Sequence, residues 1–219
     1  MILLCGGEKG GTGKSTLATN LSAMRLAEGR DVLLLDTDPQ ASSRDWAATR
    51  DQVGRLERMV CLQKSGPSLA KDVVQLTGKF DDIVIDAGGR KNTELANSLI
   101  VADVLLTPVT SGQFDVWTLH SLDELVGNAM IHNPKLKAMV VVNRASTNPQ
   151  VKDLEELQRL LSEYECLNST EAVIRDRVAY SRAVREGKGV QEMTPKDTKA
   201  VVEIETLYRE VFKNGQSTA

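Results

Sequence analysis

Gly6-Gly7-Glu8-Lys9-Gly10-Gly11-Thr12-Gly13-Lys14-Ser15-Thr16 is the stretch that decides the fold. Five of the chain's 16 glycines fall within residues 6–13. Glycines let backbone amides turn inward and approach an anion closely. The apolar run Ile2-Leu3-Leu4-Cys5 stands before the stretch and reads as a buried strand. After it, a helix is expected from about Ser15 to Glu28, with Gly29 at the C-terminal cap position. A glycine-rich turn between a strand and a helix aims the helix's positive end at whatever the turn holds. Lys14 would reach the β- and γ-phosphates of a nucleotide, and the Ser15 hydroxyl would bind Mg²⁺.

Outward from this loop, short apolar runs alternate with amphipathic segments. Val32-Leu33-Leu34-Leu35 ends at Asp36, and a helix follows from about Ala41. Met59 to Leu62 is a weaker strand, and Pro67 suits the first turn of a helix reaching about Leu76. Ile83-Val84-Ile85 ends at Asp86, Val104-Leu105-Leu106 ends before Pro108, and Met139 to Val142 ends at Asn143. Nearly continuous apolar runs mean strands buried on both faces. The expected fold is α/β: a doubly wound, mainly parallel sheet with helices on both faces. In such sheets ligands bind at the carboxyl ends of the strands, where the loop, Asp36, Asp38, Asp86, Pro108 and Asn143 all lie.

The loop departs from the usual G-x-x-x-x-G-K-[ST] pattern, because Glu8 takes the first glycine position and Lys9 follows it. The run from Lys9 to Ser15 resembles the deviant Walker A box of the ParA/MinD superfamily. That resemblance makes the chain a P-loop ATPase, small in form, that binds ATP and Mg²⁺ through Gly10, Gly11, Thr12, Gly13, Lys14, Ser15 and Thr16. It implies that Lys9 crosses an ATP-dependent sandwich homodimer to the partner's phosphates. The charge so supplied acts like an arginine finger. Asp36-Thr37-Asp38-Pro39-Gln40 resembles the family's Asp-x-Asp-Pro-Gln box. Asp38 would then orient the attacking water and Asp36 would act on the magnesium's water shell. Asp86 matches a Walker B aspartate, although Ala87-Gly88-Gly89-Arg90 replaces the family's usual prolines. The segment Ala102 to Phe114, with Pro108, resembles the family stretch after the fifth strand. Asn143 is expected at the adenine edge, since an amide both donates and accepts there.

The chain has 219 residues, enough to bury a core without staples, and residues 1–213 read as one domain with a loose tail at 214–219. Cys5, Cys61 and Cys166 show no metal-ligand spacing and read as small apolar residues in a cytoplasmic protein. No signal peptide or membrane-spanning run is recognisable. His120 and His132 read as surface residues. Trp46 and Trp117 read as core or dimer contacts.

A formal net charge of −3 argues at first against nucleic acid. Residues 175–188, however, hold Arg175, Arg177, Arg182, Arg185 and Lys188 against Asp176 and Glu186. ParA-type proteins bind DNA without sequence preference through basic C-terminal residues of the ATP-bound dimer. Doubling a modest patch doubles the phosphates met, and affinity rises steeply with that number. Lys196, Lys199, Arg209 and Lys213 lie further on, diluted by acids.

The chain begins directly at its first strand, so the helix-turn-helix domain of long plasmid ParA proteins is not expected. The resemblance implies slow ATP hydrolysis, nucleoid association and stimulation by a ParB-like or other cargo adaptor. The expected cargo is a plasmid or chromosome first, then a protein assembly such as a carboxysome or chemoreceptor cluster. The alternative is a MinD-like membrane-cycling regulator. Against it, Val201, Ile204, Tyr208 and Val211 form the stripe of a core-packed helix, with no basic membrane-inserting tail.

Overall fold

The computed structural model describes residues 1–88, 92–110, 116–148 and 153–212. Gly89, Arg90, the 111–114 part of the stretch after the fifth strand, Lys213 and the expected tail lie outside the described residues. Among the described residues, seven strands alternate with helices: β1 (Ile2–Cys5), α1 (Lys14–Ala27), β2 (Val32–Asp36), α2 (Ser42–Val53), β3 (Val60–Gln63), α3 (Leu69–Leu76) and β4 (Asp82–Asp86). There follow α4 (Asn92–Leu99), β5 (Val104–Thr110), α5 (Val116–Met130), β6 (Lys137–Ala145), α6 (Asp153–Leu161) and β7 (Leu167–Arg175). The chain then forms α7 (Val178–Arg185), a short 3-10 turn (Val190–Glu192) and α8 (Thr198–Phe212). The strand order is β3-β2-β4-β1-β5-β6-β7, and every pairing is parallel. The expected α/β sheet is therefore present.

Period-2 alternation splits each strand between two cores. Leu3, Cys5, Leu34, Val84, Leu106 and Val141 face one layer, made of α1, α2, α7 and α8. Leu4, Leu33, Ile83, Ile85, Leu105 and Val140 face the other, made of α3 to α6. Each fully buried leucine contributes about 2 kcal/mol of transfer free energy. Beyond Gly29, the N–H of Gly29 meets Leu26 O and that of Arg30 meets Arg25 O, which closes α1 where a stop was expected. Arg25 also ties this end to α8: its guanidinium bonds Asp82 and Tyr208 and lies 4.8 Å from the Phe212 ring centre.

Three features differ from the sequence expectation. Strand β5 runs through Pro108 to Thr110. Its partner β1 ends at Cys5, opposite Leu106, so beyond that point only β6 flanks it and a residue without N–H is tolerated. Strand β6 continues past Asn143 to Ala145, with a register shift against β7 between those two residues. The sequence reading has no strand at β7, because this edge strand's polar run Asn168-Ser169-Thr170-Glu171, of which only Thr170 is buried, breaks the apolar pattern. Trp46 is core, whereas Trp117 is 81% exposed on the first turn of α5. His120 and His132 are exposed, and His120 lies 3.4 Å from Glu124. The stripe on α8 packs inward through Ile204, Tyr208 and Val211.

Candidate functional site

The glycine-rich loop leaves β1 pressed against β5, with the Gly6 N–H on Leu106 O at 3.1 Å. It then laps over Thr107 and Pro108, which line a small cavity with Gly7, Lys9 and Thr12. Gly13, at φ 99° and ψ 19°, is the N-cap of α1 and offers no side-chain cap. No acidic residue stands in the first turn either. The positive end of α1 is thus left for an external anion. Lys9, Gly10 and Gly11 are exposed at the rim, Ser15 and Thr16 are half-buried, and Lys14 is buried. The Lys14 ammonium donates to Lys9 O at 2.7 Å. Burial lowers its pKa, while the nearby charges of Asp86 and Asp38 pull it back up.

The carboxylates meet at the ends of β2 and β4, which pair in register at Asp36 and Asp86. Asp86 is buried, and its pKa is pushed up to about 6, mainly by desolvation. Hydrogen bonds from the hydroxyls of Ser43 and Ser15 hold it down in part, as does the charge of Lys14. The Ser43 hydroxyl donates to Asp86 Oδ2 at 2.7 Å.

Asp36 was expected near magnesium's water shell. The structure uses it as a brace for α2. Its Oδ2 accepts the amides of Ser43 and Arg44 at 2.9 and 3.0 Å, and its Oδ1 accepts that of Asp38 at 3.0 Å. Burial raises its pKa against those three bonds. Asp38 is half-exposed and takes the Gln40 N–H at 2.9 Å. A Cβ at Gly88 would come within 3.2 to 3.3 Å of Asp38, so the loop after β4 packs directly on the Asp38 loop. Between Asp38 and α2, Ala41 is held at φ 55°, a left-handed backbone that costs a non-glycine residue about 1 kcal/mol.

Among the described residues, no group of three or more His, Cys, Asp or Glu side chains could cage a metal alone. The oxygens present, the Ser15 hydroxyl beside a desolvated Asp86, suit a hard cation that takes its other ligands from water and phosphate. These residues therefore fit Mg²⁺ bound together with a nucleotide.

A model of the CobQ/CobB/MinD/ParA nucleotide binding domain matches residues 3–190. The chain belongs to this family. Its doubly wound sheet is that of the ParA/MinD P-loop proteins. Over 205 residues the chain is 29% identical to "Maintenance of carboxysome distribution protein A" of Halothiobacillus neapolitanus, covering 93% of both chains. Its fold matches the ATP complex of McdA from Cyanothece with a TM-score of 0.75 at 17% identity, covering 97% of this chain and 96% of that one. A plasmid partition protein from Borrelia burgdorferi matches with a TM-score of 0.66 at 20% identity, over 97% and 98% of the two chains.

In this ParA/MinD-family chain the basic segment is partly neutralised from within. Arg175 ends β7 and Arg177 precedes α7, and both bond Glu203 of α8, Arg177 Nη2 at 2.7 Å. Glu186 takes Arg182 Nε at 3.2 Å and Lys188 Nζ at 2.8 Å. Arg185 is exposed. Glu203 lies 28 positions from Arg175, beyond the range of a local charge count. The stretch after α7 is fastened to both site helices: Val190 N–H donates to Asn20 of α1 at 2.8 Å, and Trp46 of α2 donates to Lys188 O at 3.2 Å.

Sequence reasoning missed Ser43, which joins the two buried carboxylates. Its signal was a hydroxyl residue in the first turn of the helix that follows the Asp36 strand end. No helix among the described residues is long and apolar enough to cross a membrane.

Proposed function

We propose that this protein is a ParA-type ATPase that positions a cargo by cycling on DNA. The observation that carries this reading is the loop itself: an uncapped helix end, a buried Lys14 facing Asp86, and Lys9 exposed at the rim. Lys14 and the amides from Gly10 to Thr16 would hold the phosphates of ATP, with Pro108 flanking the loop. Ser15 would hold Mg²⁺, with Asp86 and Asp36 behind it, and the ion would neutralise phosphate charge. Asp38 would orient the attacking water. Lys9 would reach the phosphates bound by a second copy, making the active form a homodimer. Asp38 sits between α2 and the loop after β4, so a change at one reaches the other.

DNA would be met by Arg182, Arg185 and Lys188, with Arg175 and Arg177 behind them. A ParB-like or cargo-adaptor protein would stimulate hydrolysis and release. Likeness to the Halothiobacillus relative, matched along nearly its whole length, supports reading a protein assembly rather than a plasmid as the first choice of cargo. This reverses the order expected from sequence.

The test is DNA retention measured with ATP, with ADP and without nucleotide. Retention with ATP alone is expected. Equal retention in all three states, or none in any, would refute nucleotide-gated DNA binding.

A further inference from the structure

Ser43 lies in the first turn of α2 and is fully buried. A serine there ordinarily caps its helix or bonds a nearby backbone group. The N-cap of α2 has no side-chain bond, and the single proton of the Ser43 hydroxyl goes to Asp86 Oδ2 at 2.7 Å. The Ser43 N–H meanwhile meets Asp36 Oδ2 at 2.9 Å. One residue thus donates to both carboxylates of the register pair that ends β2 and β4.

The hydroxyl holds a torsion. The last torsion of an aspartate joins a tetrahedral to a planar carbon and is intrinsically broad, so packing or a hydrogen bond must choose its angle. Asp86 has two hydroxyl partners, one from each helix that flanks the site: Ser43 of α2 and Ser15 of α1. Ser15 also has one proton. Given to Asp86, it leaves the oxygen's lone pairs for a cation. The backbone on either side is fastened by other groups. On the loop that leads to Ser15, Asn143 Nδ2 donates to Thr12 O at 2.6 Å, with the amide oxygen and second N–H left for other partners. On the Asp86 side, the Thr37 N–H meets Asp86 O at 3.0 Å, and the Gly88 N–H meets Thr37 Oγ1 at 3.3 Å. The orientation of the carboxylate itself is left to the hydroxyls.

We infer that Ser43 is a positioning residue for Mg²⁺: it fixes the Asp86 carboxylate, which in turn fixes the Ser15 hydroxyl that would ligate the ion. This rests on the reading that the loop binds a nucleotide together with Mg²⁺. A plain structural brace would support the whole site, so its loss would act on nucleotide with or without the ion. A residue acting through Asp86 and Ser15 matters only when the ion is present.

The experiment is calorimetric titration of ADP into wild type and Ser43→Ala, in EDTA and across a series of Mg²⁺ concentrations. ADP carries the β-phosphate that would share the ion with Ser15, and it is not hydrolysed. Loss of a partner behind a metal ligand costs about tenfold or more in metal affinity. In Ser43→Ala the Mg²⁺ concentration that gives half the gain in ADP affinity should therefore rise about tenfold, with the affinity in EDTA unchanged. An unmoved Mg²⁺ midpoint, or a matching loss in EDTA, overturns the inference. Wild-type affinity that ignores Mg²⁺ overturns the magnesium reading itself, and a wild type that does not bind ADP overturns the nucleotide reading.

Should Ser43→Ala not fold, Ser43→Thr and Ser43→Cys carry the test. Threonine keeps the O–H and should keep the Mg²⁺ midpoint, whereas a thiol is a weak donor and should raise it. Equal midpoints in these two variants would overturn the inference.

Discussion

Arg50 and Glu192, 142 positions apart, form a two-pronged ion pair, with Nη1 and Nη2 each 2.7 Å from a carboxylate oxygen. Arg50 is 2% exposed, lies on α2, and also donates to Glu57 O and Gly187 O. Its guanidinium carbon is 5.4 Å from the Trp46 ring centre. The helix that follows the Asp38 loop is thereby locked to the stretch that carries Lys188. Removing one partner leaves a desolvated charge behind. Arg50→Met or Glu192→Gln should cost about 3 kcal/mol or more in urea unfolding, and replacing both together should cost less. A single-variant loss under about 1 kcal/mol would show the pair to be incidental.

Lys14 is the first residue of α1, directly after its uncapped Gly13 N-cap. Lys14→Ala should abolish ATP binding measured by calorimetry while the fold persists. Undiminished binding would refute the phosphate-loop assignment.

Asp38 is the half-exposed carboxylate of the site, free of the three-amide role that occupies Asp36. Asp38→Ala should keep ATP affinity and lose phosphate release. A variant that turns over at the wild-type rate removes Asp38 from catalysis.

Asp86 links the site to pH. Its folded pKa of about 6 exceeds the ordinary 3.8, chiefly through burial. The folded state therefore binds more protons between these values, so stability falls as pH rises from about 4 to 6 and stays low above that. The span corresponds to about 3 kcal/mol at most. In nucleotide- and magnesium-free protein, Asp86→Asn should be the more stable at pH 7 by about 1 to 3 kcal/mol. That advantage should vanish below pH 4. Equal urea midpoints at both pH values would disprove the buried-charge argument.

The basic segment splits into two parts. Arg182→Glu with Lys188→Glu should abolish DNA retention while sparing dimerisation, because both side chains bond Glu186 at the turn after α7. Unchanged DNA binding across several salt concentrations would move the patch elsewhere. Arg177 is more deeply set against Glu203, so its loss should show first as reduced stability.

Much of the fold was legible because its signals are local. Gly6 to Thr16 between an apolar run and a helix, and acids closing β2 and β4, are patterns that chain chemistry alone explains. The weak signals were those spread across the chain. Strand β7 lacked the buried run of its neighbours because an edge strand needs burial on fewer sides. Pro108 marked a strand end by propensity, yet β5 passed through it where β1 no longer flanked it.

The site divides in the same way. The amino-acid order by itself determined the doubly wound sheet, the phosphate loop and the carboxylates at the strand ends. It did so because strand burial and glycine conformation act over a few residues. Only the tertiary structure decided that Asp36 braces α2, that Ser43 bridges to Asp86, that Glu203 offsets Arg175 and Arg177, and that Asn143 grips Thr12. Each of these is a hydrogen bond or ion pair between segments that meet only when the sheet is assembled, and no local pattern encodes which donor will find which acceptor.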